Sequence, residues 1–167
     1  MNVPAREALA RLHEGNARFA THAGGTASLS SQARRAEMAT GQQPFAIVLG
    51  CSDSRVPAEL VFDQGLGDLF VIRVAGNIVA PSQVGSVEFA AARFGTRLVV
   101  VLGHSQCGAI LATLEELQIP TANQSRNLRS IVDRVRPSVE GLLAVGAEYP
   151  LDTGVVEFFD GAPAADR

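Results

Sequence analysis

Two short aliphatic runs limit this chain to few folds. Ala46-Ile47-Val48-Leu49 and Leu98-Val99-Val100-Val101-Leu102 each end in glycine and then meet residues of another kind. Cys51-Ser52-Asp53-Ser54-Arg55 follows the first, and His104-Ser105-Gln106-Cys107 follows the second. Such runs read as buried strands. Helical periodicity fills the stretches between strands, and that alternation predicts an α/β domain with a mainly parallel β-sheet flanked by helices. Ligand sites in such sheets lie at the carboxyl ends of the strands. Two neighbouring strands that end together would bring Cys51, His104 and Cys107 to one point.

The remaining elements follow from spacing and end signals. Ala5, Ala8, Leu9, Leu12 and Phe19 lie close to helical spacing, so Pro4 to about Thr21 should form an amphipathic helix. Ala23 to Ser28 reads as a loop, and Ser30 or Ser31 as the cap of a short helix ending near Gly41. Strands are expected over Phe45–Gly50, Leu69–Val74 and Arg97–Leu102. Helices are expected over Pro57–Phe62, over Gln83–Phe94 with Ser82 as cap and Gly95 as stop, and from Cys107 to Leu117. Leu128, Ile131, Val132, Val135 and Val139 mark a further helix that Pro137 should kink or break. Leu143–Glu148 and Val155–Phe159 read as strands joined through Asp152-Thr153-Gly154, and the Gly/Ala-rich end as a frayed tail. One domain over 1–167 results, with a helical arm over about 4–40 and an α/β core over about 45–159.

Composition narrows the function classes. The 167 residues are 47% hydrophobic and 19% charged, which excludes disorder and fits a buried sheet. A net charge of −3 without a dense basic patch argues against a nucleic-acid partner. No run approaches the ~18 apolar residues of a membrane span, and the N-terminus lacks a basic region followed by an apolar stretch. A small-molecule substrate and a cytoplasmic, reducing setting are expected, with the two cysteines as thiols.

Two thiolates and an imidazole suit Zn2+, and three protein ligands leave the fourth tetrahedral position for water or substrate. A lone cysteine after a strand is more often a small buried hydrophobe; the His-x-x-Cys spacing and the second strand-end cysteine shift the reading to metal. A closed structural site would need a fourth Cys or His. The chain has only two cysteines, and His13 and His22 fall on or near the first helix. Asp53 and Arg55 share the Cys51 loop, and a carboxylate paired with a guanidinium stays ionised and oriented.

The Cys51-x-Asp53-x-Arg55 and His104-x-x-Cys107 pair resembles the β-class carbonic anhydrases. The likeness continues through Arg55-Val56-Pro57-Ala58-Glu59, Phe70-Val71-Ile72-Arg73, Ala75-Gly76-Asn77, Gly85-Ser86-Val87-Glu88 and Asp152-Thr153-Gly154. The resemblance implies one catalytic zinc per chain on Cys51, His104 and Cys107, and reversible hydration of carbon dioxide to bicarbonate. It implies an Asp53–Arg55 dyad that orients the nucleophile, with Asp53 as a fourth zinc ligand in a closed state of some members. It also implies a substrate pocket containing Gln42, Phe70, Ala75 and Phe89, with the Gly108 backbone N–H near the reacting species. The family's cleft lies at a subunit interface with the first helix packed on the partner, so a homodimer or homotetramer is expected. Members with a regulatory bicarbonate site often carry Trp where this chain has Val48, so that regulation is not expected. Between Val139 and Leu143 the chain is shorter than family members usually are. Two other readings stand beside hydration: hydrolysis of a CO2-like molecule such as carbonyl sulfide or carbon disulfide, and a zinc-binding or sensor protein without catalysis.

Overall fold

The computed structural model describes residues 3–24, 31–118, 125–139 and 147–158. Its elements are α1 (Ala5–Ala20), α2 (Gln32–Met38), β1 (Ala46–Gly50), α3 (Ala58–Val61), β2 (Leu69–Arg73), a 3-10 turn (Ala75–Asn77) and α4 (Pro81–Phe94). Then come β3 (Val99–His104), α5 (Gly108–Gln118), α6 (Arg126–Val139), β4 (Ala147–Tyr149) and β5 (Glu157–Phe158). The strands form one sheet in the order β2-β1-β3-β4-β5, parallel except for the antiparallel β4–β5 pair. Central β1 is buried along its whole length, as an uninterrupted aliphatic strand in a parallel sheet must be. Gly50 pairs with Arg73 of β2 and with Leu102 of β3, so Cys51 leaves the sheet level with both neighbours.

The core lies on both faces of β1. On one face Ala8 and Leu12 of α1 pack with Ala46, Val48, Val61, Phe62, Val100 and Leu102. On the other, Ile47 and Leu49 pack with Ile72 and Ala90, and Phe70, Val87 and Phe94 lie against them. This second face is not covered as far as β3, where Val99 is 46% and Val101 38% exposed. Of the α1 stripe, Ala8 and Leu12 are buried within the chain, while Ala5, Leu9 and Phe19 are half-buried. Close approach makes this possible: a Cβ on Gly15 would stand 1.8 Å from the Phe62 carbonyl oxygen. Beside it the buried Asn16 bonds to Val61, Gly154 and Val156.

Several boundaries differ from expectation for local reasons. Helix α4 starts at Pro81, whose fixed φ suits a first helical position, so Ser82 is not its cap. Gly95 ends α4 in the left-handed conformation. Strand β3 starts at Val99 and carries through to His104, further than hydrophobicity alone suggested. Pro137 does not break the helix; it falls in the last turn of α6, which runs on to Val139, where only one bond of the ladder is at stake. Ser31 caps α2, its Oγ accepting from Arg34 N at 3.2 Å. Ser30, most of the 23–28 loop, positions 143–146, Phe159 and the tail lie outside the described residues.

Candidate metal centre

Strand ends build the site. Cys51 follows β1 directly, His104 is the last residue of β3, and Cys107 ends the turn that leads into α5. Gln106 adopts φ 53 in that turn, which folds Cys107 back toward the sheet edge. The ligating atoms of Cys51, His104 and Cys107 all lie within 4.8 Å of one another. Both cysteines are free and buried.

The geometry fits zinc. Two thiolates on one tetrahedral zinc, each about 2.3 Å from it, stand about 3.8 Å apart; Cys51 Sγ and Cys107 Sγ are 3.8 Å apart. The His104 ring supports the same reading. Nδ1 lies 2.9 Å from the Ser105 carbonyl oxygen, so Nδ1–H donates there and Nε2 carries the lone pair. Nε2 is buried and has no hydrogen-bond partner among the described residues. A buried nitrogen left so is costly in a protein interior unless another group engages it.

Backbone donors surround the sulfurs. Gly76 N–H points at Cys51 Sγ from 3.4 Å. Burial pushes the Cys107 thiol pKa up, and Cys51 beside it pushes the same way, while the N–H groups of Ile110 and Ala109 in the first turn of α5 pull it down. A cation would outweigh the burial and draw both sulfurs to thiolate.

Asp53 and Arg55 form a bidentate pair beside the group. Arg55 Nε donates to Asp53 Oδ1 at 2.9 Å and Nη2 to Oδ2 at 2.7 Å. Arg55 backbone N–H adds a third bond to Oδ1 at 3.0 Å. The guanidinium first, then this backbone bond, hold the Asp53 carboxyl well below the usual carboxylate range. Arg55 Nη2 also reaches the Gln106 carbonyl at 3.2 Å, joining the two motif loops. Asp53 is not in the three-donor group; both of its oxygens are engaged by Arg55.

The other expected pocket residues divide. Ala75 starts the 3-10 turn next to Gly76, beside Cys51. Gly108 opens α5, and among the described residues nothing beyond its own helix and chain neighbours comes within 4 Å of where a Cβ would stand. Gln42, Phe70 and Phe89 do not join them. Gln42 is exposed before the amino end of β1, and the five-residue strand between puts it about 16 Å or more from Cys51. Phe70 is the second residue of β2 and clusters with Phe89 and Phe94 at ring separations of 6.2 and 6.0 Å; Phe89 is 54% exposed. Sequence reasoning missed the donors at Gly76, Ala109 and Ile110, because backbone N–H groups carry no residue-type signal.

The sequence model of the carbonic anhydrase family matches residues 46–153. Carbonic anhydrase 2 of Mycobacterium tuberculosis is 45% identical over 130 residues, covering 77% of this chain and 61% of that protein. A carbonic anhydrase of Mycolicibacterium smegmatis is 47% identical over 133 residues, with the same coverage. Among solved structures, a tetrameric β-carbonic anhydrase of Sordaria macrospora aligns with a TM-score of 0.55 at 23% identity, over 78% of this chain and 87% of that one. The last likeness concerns the fold alone. The chain belongs to the β-carbonic anhydrase family. It spans about 61% of the length of the curated relatives it matches.

Proposed function

We propose that this chain catalyses the reversible hydration of carbon dioxide to bicarbonate and a proton, with one zinc ion held by Cys51, His104 and Cys107. The observation that carries the reading is a buried three-donor group with an ionised, doubly held carboxylate in the same loop. When bound, zinc supplies Lewis-acid chemistry that activates a water near neutral pH. Asp53, kept ionised by Arg55, can only accept hydrogen bonds. It therefore fixes the direction of an O–H donor beside the metal group, and Arg55 fixes the carboxylate. Ala75 offers a small apolar contact to a nonpolar substrate. The open N-terminus of α5 at Gly108 favours an anionic product.

The full pocket is assembled from two copies of the chain in a homodimer or homotetramer. Gln42 is exposed and lies a strand length from its own chain's metal group, and Phe89 is exposed and packs with Phe70 and Phe94, so a second copy would have to bring them to it. Val99 and Val101 on a central strand also lack cover among the described residues. The Sordaria relatives being tetrameric supports the same reading. The two free thiols suit a reducing compartment, and we place the protein in the cytoplasm; cell fractionation tests that placement.

Stopped-flow CO2 hydration, metal content and light scattering on one preparation test the proposal. One zinc per chain, measurable hydration and a dimer or larger species are expected. A zinc-loaded protein without hydration refutes the activity, and a fully active single-chain species refutes the shared pocket.

A further inference from the structure

We infer that Arg73 is the positioning residue for the Asp53–Arg55 pair, an assignment that rests on the hydration reading above. Arg73 is the last residue of β2, in register with Gly50. Its Nε donates to the Cys51 carbonyl oxygen at 2.8 Å, and its Nη2 donates to the Asp53 carbonyl oxygen. Those carbonyls flank Ser52, so one planar guanidinium spans the segment that links a metal donor to the carboxylate.

Arg55 Nη2 also ties the pair to the Gln106 carbonyl at 3.2 Å, but among the described residues only Arg73 reaches both the Cys51 and the Asp53 carbonyls. Ser52, Ser54 and Arg55 are exposed, so packing does not hold the segment and hydrogen bonds must. The backbone supplies Ser52 N to the Val74 oxygen at 3.3 Å and Val56 N to the Asp53 oxygen at 3.1 Å. The Arg73 bonds are charge-assisted and come from a rigid fork, which makes them stronger and more directional than these. Arg73 makes no bond to the Asp53 carboxylate, whose two oxygens are held by Arg55. Its action is therefore through the backbone: it sets where the pair stands relative to Cys51.

The test compares Arg73→Met and Arg73→Lys, alone and in an Asp53→Asn background, on the zinc-loaded full chain. Arg73→Met should lower kcat about tenfold at unchanged zinc content, since small misplacements at a reacting centre are costly. Arg73→Lys, which keeps the charge but not the fork, should fall between. In the Asp53→Asn background Arg73→Met should cost less than about twofold, because two changes acting through one group do not add. Hydrogen exchange gives a readout independent of turnover: the Arg55 and Val56 amides, bonded to Asp53, should exchange about tenfold faster in Arg73→Met while Ile47 in β1 is unchanged. Equal losses in both backgrounds, zinc lost together with activity, or exchange that is either unchanged or faster throughout β1 would each overturn the assignment. If the wild-type chain binds zinc and hydrates nothing, the functional reading fails and the amide exchange alone decides the role of Arg73.

Discussion

Replacing Asn16 with alanine should destabilise the fold more than any other single change at an uncharged polar residue of α1. The Asn16 side chain is buried and makes three bonds: Nδ2 donates to the Val61 carbonyl at 3.0 Å and to the Gly154 carbonyl at 3.1 Å, and Oδ1 accepts from Val156 N at 2.7 Å. It thereby ties α1 to the end of α3 and to the turn before β5. At about 1 kcal/mol net for each bond, the loss is about 3 kcal/mol, rising if the freed Val156 N–H stays dry. Val156 is itself buried, so that donor has little access to water. For a domain of this size each kcal/mol lowers the melting temperature by about 2–4 °C, giving a fall of about 6–12 °C. Calorimetry at fixed zinc measures it, and Val156 amide exchange should rise with it. A melting temperature within about 2 °C of wild type would show that water or repacking replaces all three bonds and refute the reasoning.

Further expectations concern the site. Gly76→Ala meets two penalties, because Gly76 has φ 72 and its added Cβ would stand 3.0 Å from Val135 Cγ2 and 3.2 Å from Ala109 Cβ. The left-handed strain of about 1 kcal/mol and overpacking of about 1–3 kcal/mol should appear as a lower urea midpoint, and an unchanged midpoint would contradict the close packing. Cys107→Ser should lose most of the metal and the activity together, as read by metal content after gel filtration; full zinc retention would remove Cys107 from the ligand set. Asp53→Ala should keep its zinc and lose most CO2 hydration, and near wild-type turnover between about pH 7 and 9 would exclude the dyad role. In Arg55→Met the Asp53 carboxyl should rise toward its ordinary value of about 3.9. The sign follows from the depressed native pKa: the stability that the pair contributes is present above the unfolded carboxylate range and is lost only as pH falls below it. Carboxyl 13C titration checks this, and an unmoved Asp53 in Arg55→Met would refute the cause.

The metal group was legible because its parts are local: each donor is tied by chain connectivity to the end of an aliphatic strand, and residue type declares it. The same holds for β1, whose composition requires burial on both faces, and for the Asp53–Arg55 pair, whose members are two residues apart. Boundaries were less legible where end signals compete, as at Ser82 and Pro81, because an N1 proline and a serine cap offer alternative starts to one helix. Gln42 and Phe89 show a different limit. A motif can place a residue in a pocket without saying whose pocket it is: the length of β1 separates Gln42 from the metal group of its own chain, and Phe89 packs with Phe70 and Phe94 instead.

The sequence by itself determined the strand–helix alternation, the three metal donors and the paired carboxylate, since each rests on residue type and near-neighbour spacing. Only the tertiary structure decided which groups far apart in the chain support them. Arg73 reaches the carbonyls of Cys51 and Asp53 from 22 and 20 residues away, and Asn16 joins Val61, Gly154 and Val156 across 45, 138 and 140. Those bonds use backbone N–H and C=O groups, which every residue carries alike. Their pairing is set by where packing brings the chain.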